Sequence, residues 1–127
     1  PADGFLEWKK EAGGKQPYLI RFKDGRPFAF AGIWEHWQPS GSEAVESCAI
    51  ITTEANDLVA TVHHRMPVIL KPSAYGAWLD PEHQDVAALQ TLIEEQIVTD
   101  LTGIPVSKRV NSATANSPDN LRPVGTD

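Results

Sequence analysis

The stretch Val62-His63-His64-Arg65-Met66-Pro67-Val68-Ile69-Leu70 restricts the fold more than any other, because it sets two imidazoles and a guanidinium directly before a proline and an apolar run. Pro67 fixes its own φ, lacks an N–H for a sheet ladder, and pushes Met66 towards extended conformations. Residues 63–66 are therefore expected to leave regular structure just before a buried strand. A polar cluster held at a strand edge suits an active-site corner, since imidazole titrates nearest neutrality and guanidinium is a permanent planar cation suited to carboxylates and phosphates. The same residues also fit ordinary surface or hydrogen-bonded histidines, because clustered ionisable groups mark sites only statistically.

Around this stretch the chain reads as short strands and a few helices. Phe5-Leu6-Glu7-Trp8 is an aromatic run, and Lys9 to Gln16, with Gly13-Gly14, is a polar loop. Tyr18–Phe22 and Phe28–Trp37 flank the Asp-Gly signal of Lys23-Asp24-Gly25-Arg26 and are expected to pair as a hairpin. Ser47–Thr53 has the β-branched enrichment of a buried strand, and Glu54–Val59 begins a short helix or turn. Pro72-Ser73 offers an N-cap for a helix over Ala74–Leu79. Asp80-Pro81 starts another, running to about Gln96, with Val86, Leu89, Leu92, Ile93 and Ile97 near helical spacing. Ile104–Ser107 adds a last short strand, and Asn111 to Asp127 reads as loop or frayed tail.

A length of 127 residues suits one domain with a real core, and an apolar fraction of 41% with 22% charged residues excludes a disordered or fibrous chain. No apolar run approaches the roughly 18 residues of a membrane span, and Pro1-Ala2-Asp3-Gly4 opens no signal peptide, so a soluble protein is expected. The net charge of −6 argues against non-specific nucleic-acid binding, yet residues 1–30 hold six bases against four acids, or +2. A polyanion is thus expected to meet the N-terminal third. The first residue is not Met and a dense motif follows at once, which suggests a fragment or a processed chain.

Glu7, between Leu6 and Trp8, is a candidate for proton transfer if partly desolvated; an outward-facing strand Glu is the alternative. His63 and His64 are adjacent, so on an extended backbone they point to opposite faces and do not chelate together. Neither His36 nor His83 has the i, i+4 spacing of a metal helix, and no metal or cofactor is expected. Cys48, the only cysteine, excludes a disulfide framework and, within an apolar strand, is expected to be a small buried hydrophobe. Of the tryptophans Trp8, Trp34, Trp37 and Trp78, Trp8 lies nearest the candidate chemistry and could stack on an unpaired base.

Five blocks occur together: Pro1–Trp8, Phe30-Ala31-Gly32-Ile33-Trp34-Glu35, Cys48–Asn56, His63-His64-Arg65-Met66-Pro67 and Val106-Ser107-Lys108-Arg109-Val110-Asn111. In this order they resemble the SRAP (SOS response-associated peptidase) domain of abasic-site processing proteins. The resemblance implies an α+β fold with a bent, barrel-like, mostly antiparallel β core and flanking helices. It also implies a positively charged groove for single-stranded DNA. In that family an N-terminal cysteine is expected to form a Schiff base and then a thiazolidine crosslink with the aldehyde of an abasic site. Glu7 matches the glutamate expected to handle protons, His63 the histidine expected to assist at the sugar, and Trp8, Thr52 and Arg65 fall on the DNA-facing wall, Arg65 as a phosphate partner.

The family pattern opens with Met-Cys-Gly-Arg, a segment not present among these residues, and Cys48 cannot replace its cysteine because an internal residue has no free α-amine. The expectation is an SRAP-like domain over residues 1–111 lacking its N-terminal portion, a tail over 112–127, and no crosslinking by this stretch alone. Its partner is expected to be single-stranded DNA with abasic sites, acting as a monomer in the cytoplasm, on the nucleoid, without membrane or metal. A non-catalytic single-strand-binding or interaction domain is the alternative, and a thiol peptidase built on Cys48 the third.

Overall fold

The first two runs, β1 (Phe5–Glu11) and β2 (Gly14–Phe22), fold back on each other across Ala12-Gly13 as an antiparallel hairpin. The computed structural model describes residues 1–125. After the hairpin come β3 (Ala29–Phe30), β4 (Gly32–Trp37), β5 (Val45–Ile50), β6 (Thr52–Glu54) and α1 (Asp57–Ala60). Then follow β7 (Arg65–Pro67), β8 (Ile69–Leu70), α2 (Tyr75–Leu79), α3 (Val86–Glu94) and β9 (Leu101–Pro105). All registered strand pairs are antiparallel, and the class is α+β as expected.

The chain forms two compact units, the first made of residues 1–28, 54–66 and those from 98 onward, the second of residues 29–53 and 67–97. In the first unit β2 is the centre of a three-stranded sheet of order β1-β2-β9. Phe5 faces Ile20 on one side of β2, and Ile20 faces Gly103 on the other. Ile20, Val59 and Val106 are fully buried there, with Leu19, Phe22, Phe28, Met66 and Leu101 around them. Gly4 admits β1 to this core, because a Cβ at that position would lie 2.8 Å from Leu19 Cδ1 and 3.0 Å from the carbonyl oxygen of Ile20.

The expected hairpin between Tyr18–Phe22 and Phe28–Trp37 does not form, although its turn does. The Gly25 N–H donates to the Phe22 carbonyl at 3.0 Å, and Gly25 takes φ +74°, the left-handed region that glycine enters without strain. Both edges of β2 are already filled, one by β1 and the other by β9, so the returning chain cannot pair with it. Phe28 instead bridges Ala2 through two hydrogen bonds of 2.8 Å. The polar loop expected over residues 9–16 is likewise the closing end of the β1–β2 hairpin.

In the second unit Ala31, Val68, Leu70 and Ala74 form a buried cluster, with Ile51, Tyr75, Trp78, Leu92 and Ile93 packed against it. α3 begins later than Asp80-Pro81 because Asp85 is its cap, accepting from the N–H groups of Ala87 and Ala88. Asp80 instead closes a turn by accepting from the Glu82 N–H. Leu92 and Ile93 reach the cluster, whereas Val86 and Ile97 are exposed. Ser73 caps no helix; Pro72–Ala74 is a 3₁₀ turn leading into α2. The buried strand expected over Ser47–Thr53 is also corrected: every residue of β4 and β5 is exposed, and Cys48 with them.

The last strand is β9, somewhat earlier than Ile104–Ser107. Beyond it Val106 bridges Pro123, and Pro118–Leu121 forms a 3₁₀ turn whose Asn120 is buried and donates to the Ala115 carbonyl at 2.9 Å. Residues 126 and 127 of the expected tail lie outside the described residues. No helix among the described residues is long and apolar enough to cross a membrane.

Candidate functional site

Glu7 and His63 lie 56 positions apart in sequence and meet in the first unit. Glu7 sits in β1 opposite Tyr18, and its side chain is 22% exposed. His63 arrives from the end of α1. Asn56 caps that helix by accepting from the Val59 N–H at 2.9 Å, and its side-chain amide donates to the Val98 carbonyl at 2.8 Å. At the far end the N–H groups of Val62 and His63 both donate to the Val59 carbonyl at 2.8 Å, a tight exit from the helix.

Nδ1 of His63 lies 3.9 Å from Oε2 of Glu7, too long for a direct hydrogen bond but within reach of one bridging water. The same nitrogen lies 3.2 Å from the backbone N–H of Arg65 and 3.0 Å from its carbonyl oxygen. One nitrogen cannot donate and accept at once. Unprotonated Nδ1 accepts from the Arg65 N–H, while protonated Nδ1 donates to the Arg65 carbonyl. The Arg65 backbone thus holds the ring through either protonation state, and a proton can come or go without the ring losing its seat.

Glu7, Trp8, Lys15, His63, Val110 and Asn111 line one cavity of about 400 Å³. Trp8 is fixed in its wall by an indole N–H donated to Asn111 Oδ1 at 2.6 Å, a contact across 103 residues of chain. Carboxylate, imidazole, ammonium and amide therefore converge beside an indole, a set able to pass protons at a polar substrate and to cover a flat or apolar face of it. Of the expected site residues, Glu7, Trp8 and His63 are brought together.

Arg65 lies in β7, half-buried, and touches His63 through its backbone. Thr52 is exposed in β6 and belongs to the second unit; neither residue lines the cavity. Cys48, in β5 opposite Trp34, is in the second unit as well. The two adjacent histidines do not point to opposite faces: their rings lie 4.5 Å apart, tilted by 37°, because the chain bends at residues 63–64 before extending into β7. Lys15 and Asn111 were not singled out from the sequence. Asn111 closes the Val106–Asn111 block, which was the available signal; Lys15 counted only as one of the six bases of residues 1–30.

Charge divides between the units. Among the described residues the first unit holds ten Lys and Arg against eight Asp and Glu, a net +2, and the second holds Lys71 alone against eight acids, a net −7. Arg65, Lys108, Arg109 and Arg122, which belong in sequence to the acidic part of the chain, join the basic unit.

A family model described as SOS response associated peptidase (SRAP) matches residues 1–113. The abasic site processing protein YoqW of Bacillus subtilis is 40% identical over 120 residues, covering 94% of this chain and 54% of its own. The abasic site processing protein HMCES of Gallus gallus is 34% identical over 143 residues, covering 97% and 42%. A crystal structure of a protein from Bacteroides thetaiotaomicron superposes with a TM-score of 0.80 at 29% identity, over 95% of this chain and 53% of that one. The chain thus spans about half the length of the relatives it matches.

Proposed function

The chain belongs to the SOS response-associated peptidase (SRAP) family, and from that premise we propose that it serves in processing abasic sites in single-stranded DNA, with Glu7 and His63 as the proton-handling pair. The observation that carries the proposal is their convergence: a carboxylate and an imidazole from distant segments, 3.9 Å apart in a cavity walled by Trp8. The names of the relatives supply the substrate class, and the basic first unit supplies a surface a polyanion can approach. The proposal includes action in the cytoplasm, on the nucleoid.

Thiazolidine formation joins a 1,2-aminothiol to an aldehyde with loss of one water. The amine adds to C1′ of the ring-opened sugar, and its two protons pass in turn to the carbonyl oxygen, which leaves as water; the thiol then adds to the imine carbon and its proton ends on nitrogen. Each step needs a proton taken at one point and delivered at a neighbouring one. Glu7 as carboxylate takes the amine proton, and His63 as imidazolium delivers one to the departing hydroxyl. Trp8 covers the sugar, while Thr52 and Arg65 remain the candidates for contact with the strand. Cys48 has no free α-amine, so these residues hold the acid–base half of the reaction.

Supplying the missing half in solution tests the reading. With L-cysteine added to a single-stranded oligonucleotide bearing one abasic site, the chain is expected to accelerate thiazolidine formation, and Glu7→Gln or His63→Ala to return it to the rate without protein. Binding without acceleration would overturn the catalytic proposal and leave a non-catalytic single-strand-binding domain.

A further inference from the structure

The cavity of Glu7 and His63 has a neighbour on the same unit. This second cavity, of about 440 Å³, is lined by Gln16, Ser107, Lys108, Arg109, Asp119 and Arg122, and by the segment Pro123–Gly125. The two share their walls in sequence. Lys15 faces the first cavity and Gln16 the second; on the 3₁₀ turn Lys108–Asn111, the first two residues face the second cavity and the last two the first. A chain-like ligand leaving the first cavity across these two short segments therefore enters the second.

The chemistry of this wall is cationic. Asp119 is matched by Arg122, whose Nε lies 2.9 Å from Asp119 Oδ1. That leaves Lys108 and Arg109 uncompensated within the cavity. Lys108 Nζ reaches only the Gly13 carbonyl, at 3.4 Å, and the Arg109 side chain makes no hydrogen bond or ion pair with any described residue. Gln16 offers no donor to a ligand, because its amide nitrogen donates to the carbonyls of Pro17 and Val106 at 3.0 and 2.8 Å. The Arg109 backbone is fixed by its N–H donated to Ser107 Oγ at 3.3 Å. An ammonium and a guanidinium side by side, solvent-accessible and on a pinned turn, suit phosphodiester oxygens, the guanidinium by paired hydrogen bonds and the ammonium as a point charge.

We propose that this second cavity is a phosphate subsite, in which Lys108 and Arg109 hold the backbone of the same single strand whose abasic sugar occupies the Glu7–His63 cavity. The inference rests on the proposed function and adds to it a direction for the strand: from the sugar site across residues 15–16 and 108–111. The alternative source of the same chemistry is a free phosphate ion. The strand is favoured because the site is open and leads into the cavity where the sugar would sit.

Fluorescence anisotropy with a labelled single-stranded oligonucleotide carrying one tetrahydrofuran abasic analogue tests this over a salt series. The K108Q/R109Q chain, altered only at exposed side chains, is expected to bind about tenfold more weakly. Its log–log salt slope should be shallower by about 1.4, the value for two lost phosphate contacts on a single strand. Equal affinity and slope in both chains would overturn the subsite while leaving the proposed function in place. Failure of the unaltered chain to bind at all would bring down both. Inorganic phosphate should displace the oligonucleotide no better than chloride at equal ionic strength; specific displacement would identify a free-anion site instead and overturn the strand assignment.

Discussion

The two units both carry large aromatic and aliphatic side chains and cover them to different extents. In the first, aromatic and aliphatic residues close over a fully buried Ile20, Val59 and Val106, and ten of the eleven Lys and Arg surround them. In the second, the β4–β5 hairpin leaves Trp34 77% and Trp37 60% exposed, in a unit of net charge −7. The comparison shows how misleading a whole-chain charge can be. A total of −6 reads as unfavourable for DNA, yet it hides a basic unit that carries the cavity behind an acidic one that does not.

The largest test of this contrast is in packing. Ile20→Ala should destabilise the chain by about 2–5 kcal/mol, because it removes fully buried methylenes and leaves a cavity, whereas Trp34→Ala should stay within about 0.5 kcal/mol. Urea unfolding measures both, and equal costs would erase the distinction between the units. A smaller effect concerns charge. Arg65→Gln in the first unit should weaken oligonucleotide binding several-fold and flatten its salt slope by about 0.7, while Glu46→Gln in the second should leave that slope unchanged. A flattened slope from the second substitution would put the strand on the wrong unit.

The smallest is at the Asp-Gly turn. The Arg26 backbone N–H and guanidinium, both donated to Asp24, hold its carboxyl below the usual aspartate range. Asp24 therefore contributes stability that is present above the ordinary carboxylate pKa and is lost as pH falls through its lowered folded value. Asp24→Asn should melt slightly below the unaltered chain near pH 7 and together with it in strong acid; a gap that widened on acidification would contradict the sign.

Some of this was legible in the residues alone and some was not, for physical reasons. The Asp-Gly turn was readable because its signal is local: the hydrogen bonds that close it fall within Phe22–Arg26. The hairpin expected around it was wrong because partner choice is not local; β2 takes β9 from about 80 residues downstream, and no propensity in Tyr18–Phe22 records that. Apolar composition marked Ser47–Thr53 as buried, but composition states what a side chain prefers and not whether anything covers it, and β5 with Cys48 is exposed. The histidine pair was misread by assuming an extended backbone where the chain bends. Glu7 and His63 were paired through the resemblance of ordered blocks, since nothing between residues 7 and 63 encodes their approach. Lys15 and Asn111 joined the cavity only once the β1–β2 hairpin and the final segment were in place.

The central claim is that Glu7 and His63 act as one proton-handling unit on an abasic sugar, and a double-mutant cycle on thiazolidine formation addresses it most directly. With the abasic oligonucleotide saturated by protein and L-cysteine supplied, Glu7→Gln, His63→Ala and the double variant should all fall to nearly the same rate, because groups that act as a unit lose their contribution once either is removed. Rates that fell independently and additively, or single variants that kept the full rate while still binding the oligonucleotide, would contradict it.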